Sequence, residues 1–525
     1  MIQKEATQMN PILNTYVRQP LSTTTIDNEQ SDSRILFARS LIECLPSQQR
    51  QLGWNSAQER SIGSNDNLSQ RSQRVVAVSN RGLSDVQAAA GGLAVALSEA
   101  LSSEESLWFG WSGKLSQQPN QVKLSQQKDP CQRIQIDLTP GDYQPFYNGY
   151  CNSTLWPVLS NCSKWADFSP AYYRAYLKVN RTFAHHLAPL LANNDIIWIH
   201  DYHLIPLAAA LRQQGCNQRI GFFLHTPFPP PQTFRVIQEH SHLAKHWMAY
   251  DLIGMQTARD IDHFKTYLQQ TLPVCISDER TLQYLQRKIT LQHFPIGIDV
   301  TRLRTLQPDQ ASYSLIHYIR QQASQRTLMV GIDRLDYAKG IPRKIKAFRQ
   351  LIGQNPSLHR TISLVQIAAP SRDTLETYQR LGKKTKQLVE ATNQQYGDDE
   401  WTPVIYLNQT VNRSALPSIY GQSQVCVVSS VADGMNLVAK EYLACQDPKD
   451  PGVLVISHES GAAEQLKEAI IFPAKSRESL TNAYRQALDL PLDERKKRHA
   501  ALTKNIETED LHQWCKRYLN ALRQV

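Results

Sequence analysis

From Arg74 onward, short apolar runs alternate with stretches of helical spacing. The runs predict strands at VVAVS (75–79), SLWFGW (106–111), DIIWIH (195–200), RIGFFLH (219–225) and DLIGMQ (251–256). A second series follows at TLMVGID (327–333), ISLVQIA (362–368), PVIYL (403–407), VCVVSS (425–430), GVLVIS (452–457) and AIIF (469–472). Runs apolar on both faces, separated by helices, imply parallel sheets covered on both sides. Pro and Gly interrupt the pattern at FPIGIDV (294–300). The expected fold is therefore α/β, with two doubly wound Rossmann-like domains, 73–297 and 298–525, facing across a cleft. No internal repeat is visible.

Residues 1–72 break the pattern. They are rich in Gln, Ser, Asn and Arg and read as a flexible polar leader, with one amphipathic helix at SRILFARSLIECL (33–45). A chain of 525 residues is too long for a single core. With 41% hydrophobic and 20% charged residues it reads as globular protein. The net charge of +10 suits anionic ligands, but no basic block with interleaved aromatics marks nucleic-acid binding. Nine scattered cysteines without a C-x-x-C spacing read as reduced thiols of a cytoplasmic protein. No apolar run is long enough for a membrane span, and the N-terminus lacks the apolar core of a signal peptide.

The segment SSVADGMNLVAKEYLACQDP (429–448) holds two carboxylates, Asp433 and Glu441. A helix starting near Gly434 would set them roughly 12 Å apart along its axis. A glycosidase carboxyl pair lies at about 5 to 9.5 Å, so these two do not act as a pair on one bond. Two readings stand. Either they touch the two ends of a nucleotide-sugar-sized ligand, or Asp433 is an N-cap and Glu441 an exposed helical residue. GIDRLDYAKGI (331–341) places Arg334 and Lys339 in a loop at the carboxyl edge of the second sheet, where two cations suit a diphosphate. The P-loop pattern is absent, which disfavours ATP-type chemistry. In SNRGLSDVQAAAGGLAVALSEAL, Gly91 and Gly92 open a helix with free amides, and Arg81 stands just beyond the first strand. WIHDYHLIP (198–206) offers His200, Asp201 and His203 without a third metal ligand nearby. The D-x-D of ARDIDHF reads as a solvated helix face, and GDDEW (397–401) as a surface loop.

SNR, AGGL, WFGWSG, YNGYCNSTLWP, WIHDYHLIP, GFFLHTPFP, RLDYAKG, DGMNLVAKEY and PGVLVIS occur in this order, and together they closely resemble the bacterial trehalose-6-phosphate synthases. These are retaining glycosyltransferases of the two-Rossmann (GT-B) type, and the resemblance runs from about residue 74 to the C-terminus. It implies the reaction of UDP-glucose with glucose 6-phosphate to give α,α-trehalose 6-phosphate and UDP, without a cofactor or metal. Carried over by position, Arg81, Tyr147, Trp156 and Arg372 would hold the acceptor, the two arginines at its phosphate. Gly91, Gly92, Arg334 and Lys339 would meet the donor diphosphate. Asp433 would hold donor glucose, Glu441 the ribose, and Leu437, Val438, Ala439 and Lys440 would lie between them. Asp201 and His225 would line the reacting centre, and Val411 would offer backbone to uracil. With Arg334, Lys339 and Asp433 they form the expected catalytic set. The last helix is expected to pack back on the N-terminal domain, and the assembly to be a homo-oligomer.

Two departures touch the acceptor loop: Lys114 stands in SGK where relatives carry an acid, and 82–90 lacks a proline often found there. A near alternative is a glucosylglycerol-phosphate synthase using ADP-glucose and glycerol 3-phosphate. A different class is a non-catalytic sugar-phosphate sensor, against which Arg81, Arg334, Lys339, Asp433 and Glu441 all speak. A fused phosphatase is not expected.

Overall fold

A computed structural model describes residues 73–82, 106–117, 122–124, 131–322 and 326–525, all within one unit, Gln70–Val525. The leader with its segment 33–45, Gly91 and Gly92, and most of the loop 82–90 lie outside the described residues.

The first sheet contains β1 (Val75–Arg81), β2 (Ser106–Leu115), β3 (Val122–Leu124), β4 (Cys131–Leu138), β5 (Ile196–His200), β6 (Arg219–Phe223), β7 (Leu252–Met255), β8 (Cys275–Ile276), β9 (Thr281–Tyr284) and β10 (Arg287–His293). Its order is β3-β4-β2-β1-β5-β6-β7-β10-β9-β8. The stretch from β4 to β10 is parallel, and only the edge pairings β3–β4, β10–β9 and β9–β8 are antiparallel. The second sheet is parallel throughout: β11 (Thr327–Arg334), β12 (Ile362–Ala369), β13 (Val404–Leu407), β14 (Val425–Val428), β15 (Val453–Ser457) and β16 (Ile470–Phe472), in the order β13-β12-β11-β14-β15-β16. Strand order reverses between β1 and β5 in one sheet and between β11 and β14 in the other, and α/β sheets bind ligands outside such points.

Burial explains why the central strands are apolar throughout. In β1, Val76 and Val78 join one core while Val75 and Ala77 join another on the opposite face. Strand β4 and the β8–β10 hairpin were not expected from the hydrophobic pattern. Their sequences, CQRIQIDL and RKITLQH, put polar residues between the apolar ones because they lie toward the sheet margins. Arg81 is itself the last residue of β1, beyond an irregularity at Ser79.

The chain passes between the sheets through residues 294–299. Its final helix, Leu511–Gln524, then returns to the first sheet. Trp514, Tyr518 and Leu522 share one helical face by their spacing of four and are buried there. The Tyr518 ring stacks on Trp198 at 4.6 Å and its hydroxyl donates to the Phe222 carbonyl at 3.0 Å. Gly221 and Gly254 make this possible, since a Cβ on either would come within 2.4 or 2.7 Å of the Tyr518 side chain.

Candidate active site

Arg372, beyond the end of β12, reaches across to the first sheet. Its Nη1 donates to Asp336 at 2.7 Å and to the Tyr378 hydroxyl at 3.0 Å, and its Nε to Asn152 at 2.8 Å. The guanidinium lies 4.5 Å from the Trp156 ring, and Arg334 lies 5.7 Å from the same ring. Asp336 is the hub: fully buried, it also accepts from the Tyr378 hydroxyl and the Ala338 amide, at 3.2 and 3.0 Å. Trp156 and Asn152 come from a continuous wide-to-narrow helix, π-helical over Gln144–Leu155 and α-helical over Trp156–Leu159. π-turns of this kind concentrate at functional sites.

An aromatic wall joins Arg372 to Arg81. Trp156 packs on Tyr202, Tyr202 stacks on His203 at 4.0 Å, and His203 stacks on Tyr147 at 5.9 Å. Tyr147 stacks in turn on Tyr143, both beside Trp111, and Arg81 lies 5.7 Å from the Trp111 ring. Two cations at the ends of one ring-lined wall suit a phosphorylated sugar, the rings covering its apolar face. Lys114 is the penultimate residue of β2 and is exposed.

Lys339 closes the short turn Tyr337–Lys339, and its ammonium meets Asp433 at 2.5 Å. Ser430 and Asn436 donate to the same Asp433 oxygen at 3.1 and 2.9 Å. Burial raises the Asp433 pKa, but Lys339 and these two donors outweigh it and hold the carboxyl below its ordinary value. Both partners are about seven-eighths buried, so the pair is a charged floor and not a solvated surface bridge.

The helix beyond starts at Leu437, with Asn436 as its cap, accepting from the Ala439 amide at 3.2 Å. Two expectations are corrected here. Asp433 is not the N-cap, and it precedes the helix by four residues, so helical rise does not set its separation from Glu441. The first amides, Leu437 and Val438, lack intrahelical acceptors and face the N-terminal end, whereas the Ala439 amide is taken by its cap. Glu441 accepts from the Tyr420 hydroxyl at 3.3 Å. The Lys440 side chain does not join the cluster. Its ammonium is buried against the Ile296 carbonyl at 2.8 Å and Gln465 at 2.7 Å, tying the helix to the passage between sheets. Val411 follows β13 and packs its side chain against the core.

Asp201 and His225 extend from the ends of β5 and β6. The His225 amide donates to Asp201 at 3.3 Å, and the His225 ring meets His200 at 3.1 Å. Burial pushes the Asp201 carboxyl up to about 6, against hydrogen bonds from Tyr202 and His225 and the charges of Arg334 and Arg372. Burial pushes His225 down to about 3, and burial with Arg372 does the same to His203. Both rings are neutral at physiological pH. No cluster of three or more His, Cys, Asp or Glu positioned for a metal occurs among the described residues. The D-x-D reading needs correction: Asp260 is buried, accepting from Thr257 and from the Phe228 amide at 2.6 and 2.9 Å, and only Asp262 is exposed.

Backbone strain concentrates here. Asp201, Arg372 and Asn436 have φ of 74°, 48° and 76°, three of the six non-glycine residues with positive φ among those described. The sheets touch at Gly434, where a Cβ would lie 2.0 Å from the His225 carbonyl oxygen. Sequence reasoning overlooked Asp336, Asn152, Tyr378, Ser430 and Asn436. Asp336 stands inside RLDYAKG between the two cations that were chosen, and a carboxylate between cations was the available signal.

Two Rossmann-type sheets, with cations and helix amides gathered where their strand orders reverse, define a glycosyltransferase of the GT-B type. The chain belongs to glycosyltransferase family 20, whose model matches residues 60–524. It is similar to the trehalose-6-phosphate synthase of Sodalis glossinidius, 35% identical over 454 residues, covering 86% of this chain and 96% of the relative. Among solved structures it resembles an alpha,alpha-trehalose-phosphate synthase (UDP-forming) from Burkholderia xenovorans in complex with glucose-6-phosphate. That match has a TM-score of 0.81 and 32% identity, and covers 86% and 100% of the two chains. It also resembles the E. coli protein bound with UDP-2-fluoro glucose, with a TM-score of 0.81 and 35% identity over 86% and 99% of the chains.

Proposed function

We propose that the protein is a retaining glucosyltransferase that makes α,α-trehalose 6-phosphate and UDP from UDP-glucose and glucose 6-phosphate. The observation that carries this reading is the pairing of two charged stations in one cleft. Arg372 is held between the sheets at one end of the aromatic wall, and Lys339, on the turn that Asp336 caps, is paired with Asp433. The family and the relatives' names support the same reading.

Arg81 and Arg372 bind the acceptor phosphate, and Tyr147 and Trp156 cover the sugar ring. Arg334 and Lys339 take the donor diphosphate, with Gly91 and Gly92 against it, and Asp433 accepts from donor glucose hydroxyls. Leu437 and Val438 supply amides, Ala439 lies beneath them, Glu441 holds the ribose and Val411 offers backbone to the base. The bond from glucose C1 to the diphosphate oxygen breaks as the acceptor's anomeric hydroxyl attacks from the same face. Its proton passes to the leaving phosphate oxygen. Arg334 and Lys339 stabilise the charge that develops there, and they act best in a water-poor site. His225 and His203, being neutral, offer hydrogen bonds without adding charge beside the forming cationic sugar.

Phosphate charge is met by side chains and amides, so turnover is metal-independent: full activity is expected in EDTA, and rescue of a chelated enzyme by Mg²⁺ would overturn this. Cys151, Cys162, Cys216, Cys275, Cys426 and Cys445 are free thiols, which suits a cytoplasmic enzyme. No helix of the described residues is long and apolar enough to cross a membrane. The test is nucleotide release with UDP-, GDP- and ADP-glucose against glucose 6-phosphate and glycerol 3-phosphate. Release only with UDP-glucose and glucose 6-phosphate is expected. Preference for ADP-glucose with glycerol 3-phosphate, or no release at all, refutes the assignment.

A further inference from the structure

Behind the turn Tyr337–Lys339 lies a second cavity of about 580 Å³, on the helix-covered face of the second sheet. Arg343, Lys346, Arg380, Lys384 and Arg477 line it, and no carboxylate does. The cations come from three helices. Arg343 and Lys346 stand three apart on Ile341–Gln354, Arg380 and Lys384 four apart on Glu376–Tyr396, and Arg477 opens Arg477–Leu488. Spacings of three and four put side chains on one helix face, so the first two helices aim their pairs at the space that Arg477 also lines. Arg380 is paired with Glu376 and Arg343 donates to the Ala474 carbonyl, but Lys346, Lys384 and Arg477 have no ion-pair partner among the described residues. Trp165, 43% exposed, and Tyr337 close one end with rings 6.5 Å apart.

Lys346, Lys384 and Arg477 are like charges gathered without a counter-ion lining the cavity, so they repel, and the concave shape concentrates their field. We infer that this cavity binds a second anion, a phosphate ester carrying a ring, with its phosphates among Lys346, Lys384 and Arg477 and its ring against Trp165. The site is coupled to the cleft through the turn that forms its wall. Tyr337 packs on Tyr378, which hydrogen-bonds Asp336, and the Val431 amide donates to the Ala338 carbonyl at 2.7 Å. Asp336 holds Arg372, and Lys339 holds Asp433. An occupant pressing on Tyr337 therefore alters turnover. The coupling rests on the proposed reaction, whereas the binding does not.

The test is calorimetric titration of the full chain, with UDP saturating the cleft, by ATP, fructose 1,6-bisphosphate and inorganic pyrophosphate. One added site per chain is expected, weakened at least tenfold by Lys346→Ala/Lys384→Ala/Arg477→Ala. These three residues are exposed, and the variant should keep its basal rate. Trp165→Ala should weaken the ring-bearing ligands and leave pyrophosphate unchanged, and preference between ATP and the bisphosphate identifies a nucleotide or a sugar source. In initial-rate assays the tighter ligand should change kcat or an acceptor KM at least twofold, and only when the three cations are present. No heat with any ligand, or equal affinity in the triple variant, overturns the site. Binding without a rate change overturns the coupling, and a chain that binds but turns over no substrate discredits the reaction and leaves the site standing.

Discussion

Gly434→Ala tests whether the contact between the sheets sets the geometry of the cleft. The added Cβ would lie 2.0 Å from the His225 carbonyl oxygen, 2.9 Å from its carbon and 3.2 Å from the Thr226 carbonyl carbon. The first distance is about 1 Å short of the nearest approach that real Cβ atoms make, and the opposing atoms are backbone that cannot rotate aside. Gly434 does not have a left-handed φ, so alanine's own conformational preference contributes nothing and the effect is steric. Overpacking of this kind costs about 1–3 kcal/mol if it is absorbed as strain. If the seam parts instead, Asp433 and His225, each adjacent to or at the contact, separate by about 1 Å, a displacement that costs on the order of 10²-fold in rate. Parting is expected, because the contact lies between loops and not inside either core. The assay is steady-state UDP release with both substrates varied, beside thermal unfolding. A loss of about 10²-fold in kcat with a soluble, cooperatively unfolding protein is expected. Gly141→Ala, where the nearest atom is 3.9 Å away, should be silent. Activity within threefold of wild type would refute the claim that this contact sets the reacting distance.

Arg334→Ala or Lys339→Ala should lower kcat by about 10²–10³-fold, since each removes a contact that strengthens as UDP leaves; Arg81→Ala should mainly raise the acceptor KM, and identical defects in both classes would refute the division of roles. Asp201 carries a carboxyl raised to about 6 by burial in the ligand-free chain, so kcat/KM should fall as pH drops below about 6, and Asp201→Asn should lose that limb while keeping a lower, flatter rate. Burial lowers Lys440 from 10.5 to about 7, so the unfolded chain holds its proton over a range where the folded one does not. Wild-type stability from this group is therefore present at high pH and lost as pH falls toward 7. The urea midpoint of Lys440→Met relative to wild type should drop between pH 6.5 and 9, and a constant difference would show the amine is not buried as a neutral group.

What the sequence disclosed follows from burial. Strands covered on both faces advertise themselves as unbroken apolar runs, which is why β1, β5, β11, β12 and β15 were visible. Strand β4 and the β9–β10 hairpin were not, because residues such as Gln132, Gln135 and Gln292 alternate with the apolar ones. Site chemistry was legible where a charged residue stands at a strand end, as with Arg81, Arg334 and Asp201. It was not legible where the decisive partner is remote in sequence. Nothing near Asn152 announces Arg372, 220 positions away. Lys440 shows the reverse failure, since a cation in an apolar helix beside Glu441 invites a ligand role, while its actual acceptors, Ile296 and Gln465, are contributed by distant segments.

The backbone carries a further layer that composition hides. A non-glycine residue at positive φ costs about 1–3 kcal/mol and persists only where its surroundings impose it. Asp201 is held by its own N–H donating to the Phe223 carbonyl and by the His225 amide on its carboxyl, and Arg372 by Asp336, Asn152 and Tyr378. Asn436 is held by its cap to Ala439 and its bond to Asp433. In each case the side chain that the proposed reaction needs, or that supports one it needs, is also the side chain that restrains the strained backbone. Glycine at any of the three would relieve the strain and remove the restraint together. Such a change would stabilise the local conformation and still cost activity, so strain and function at this site are two consequences of the same hydrogen bonds.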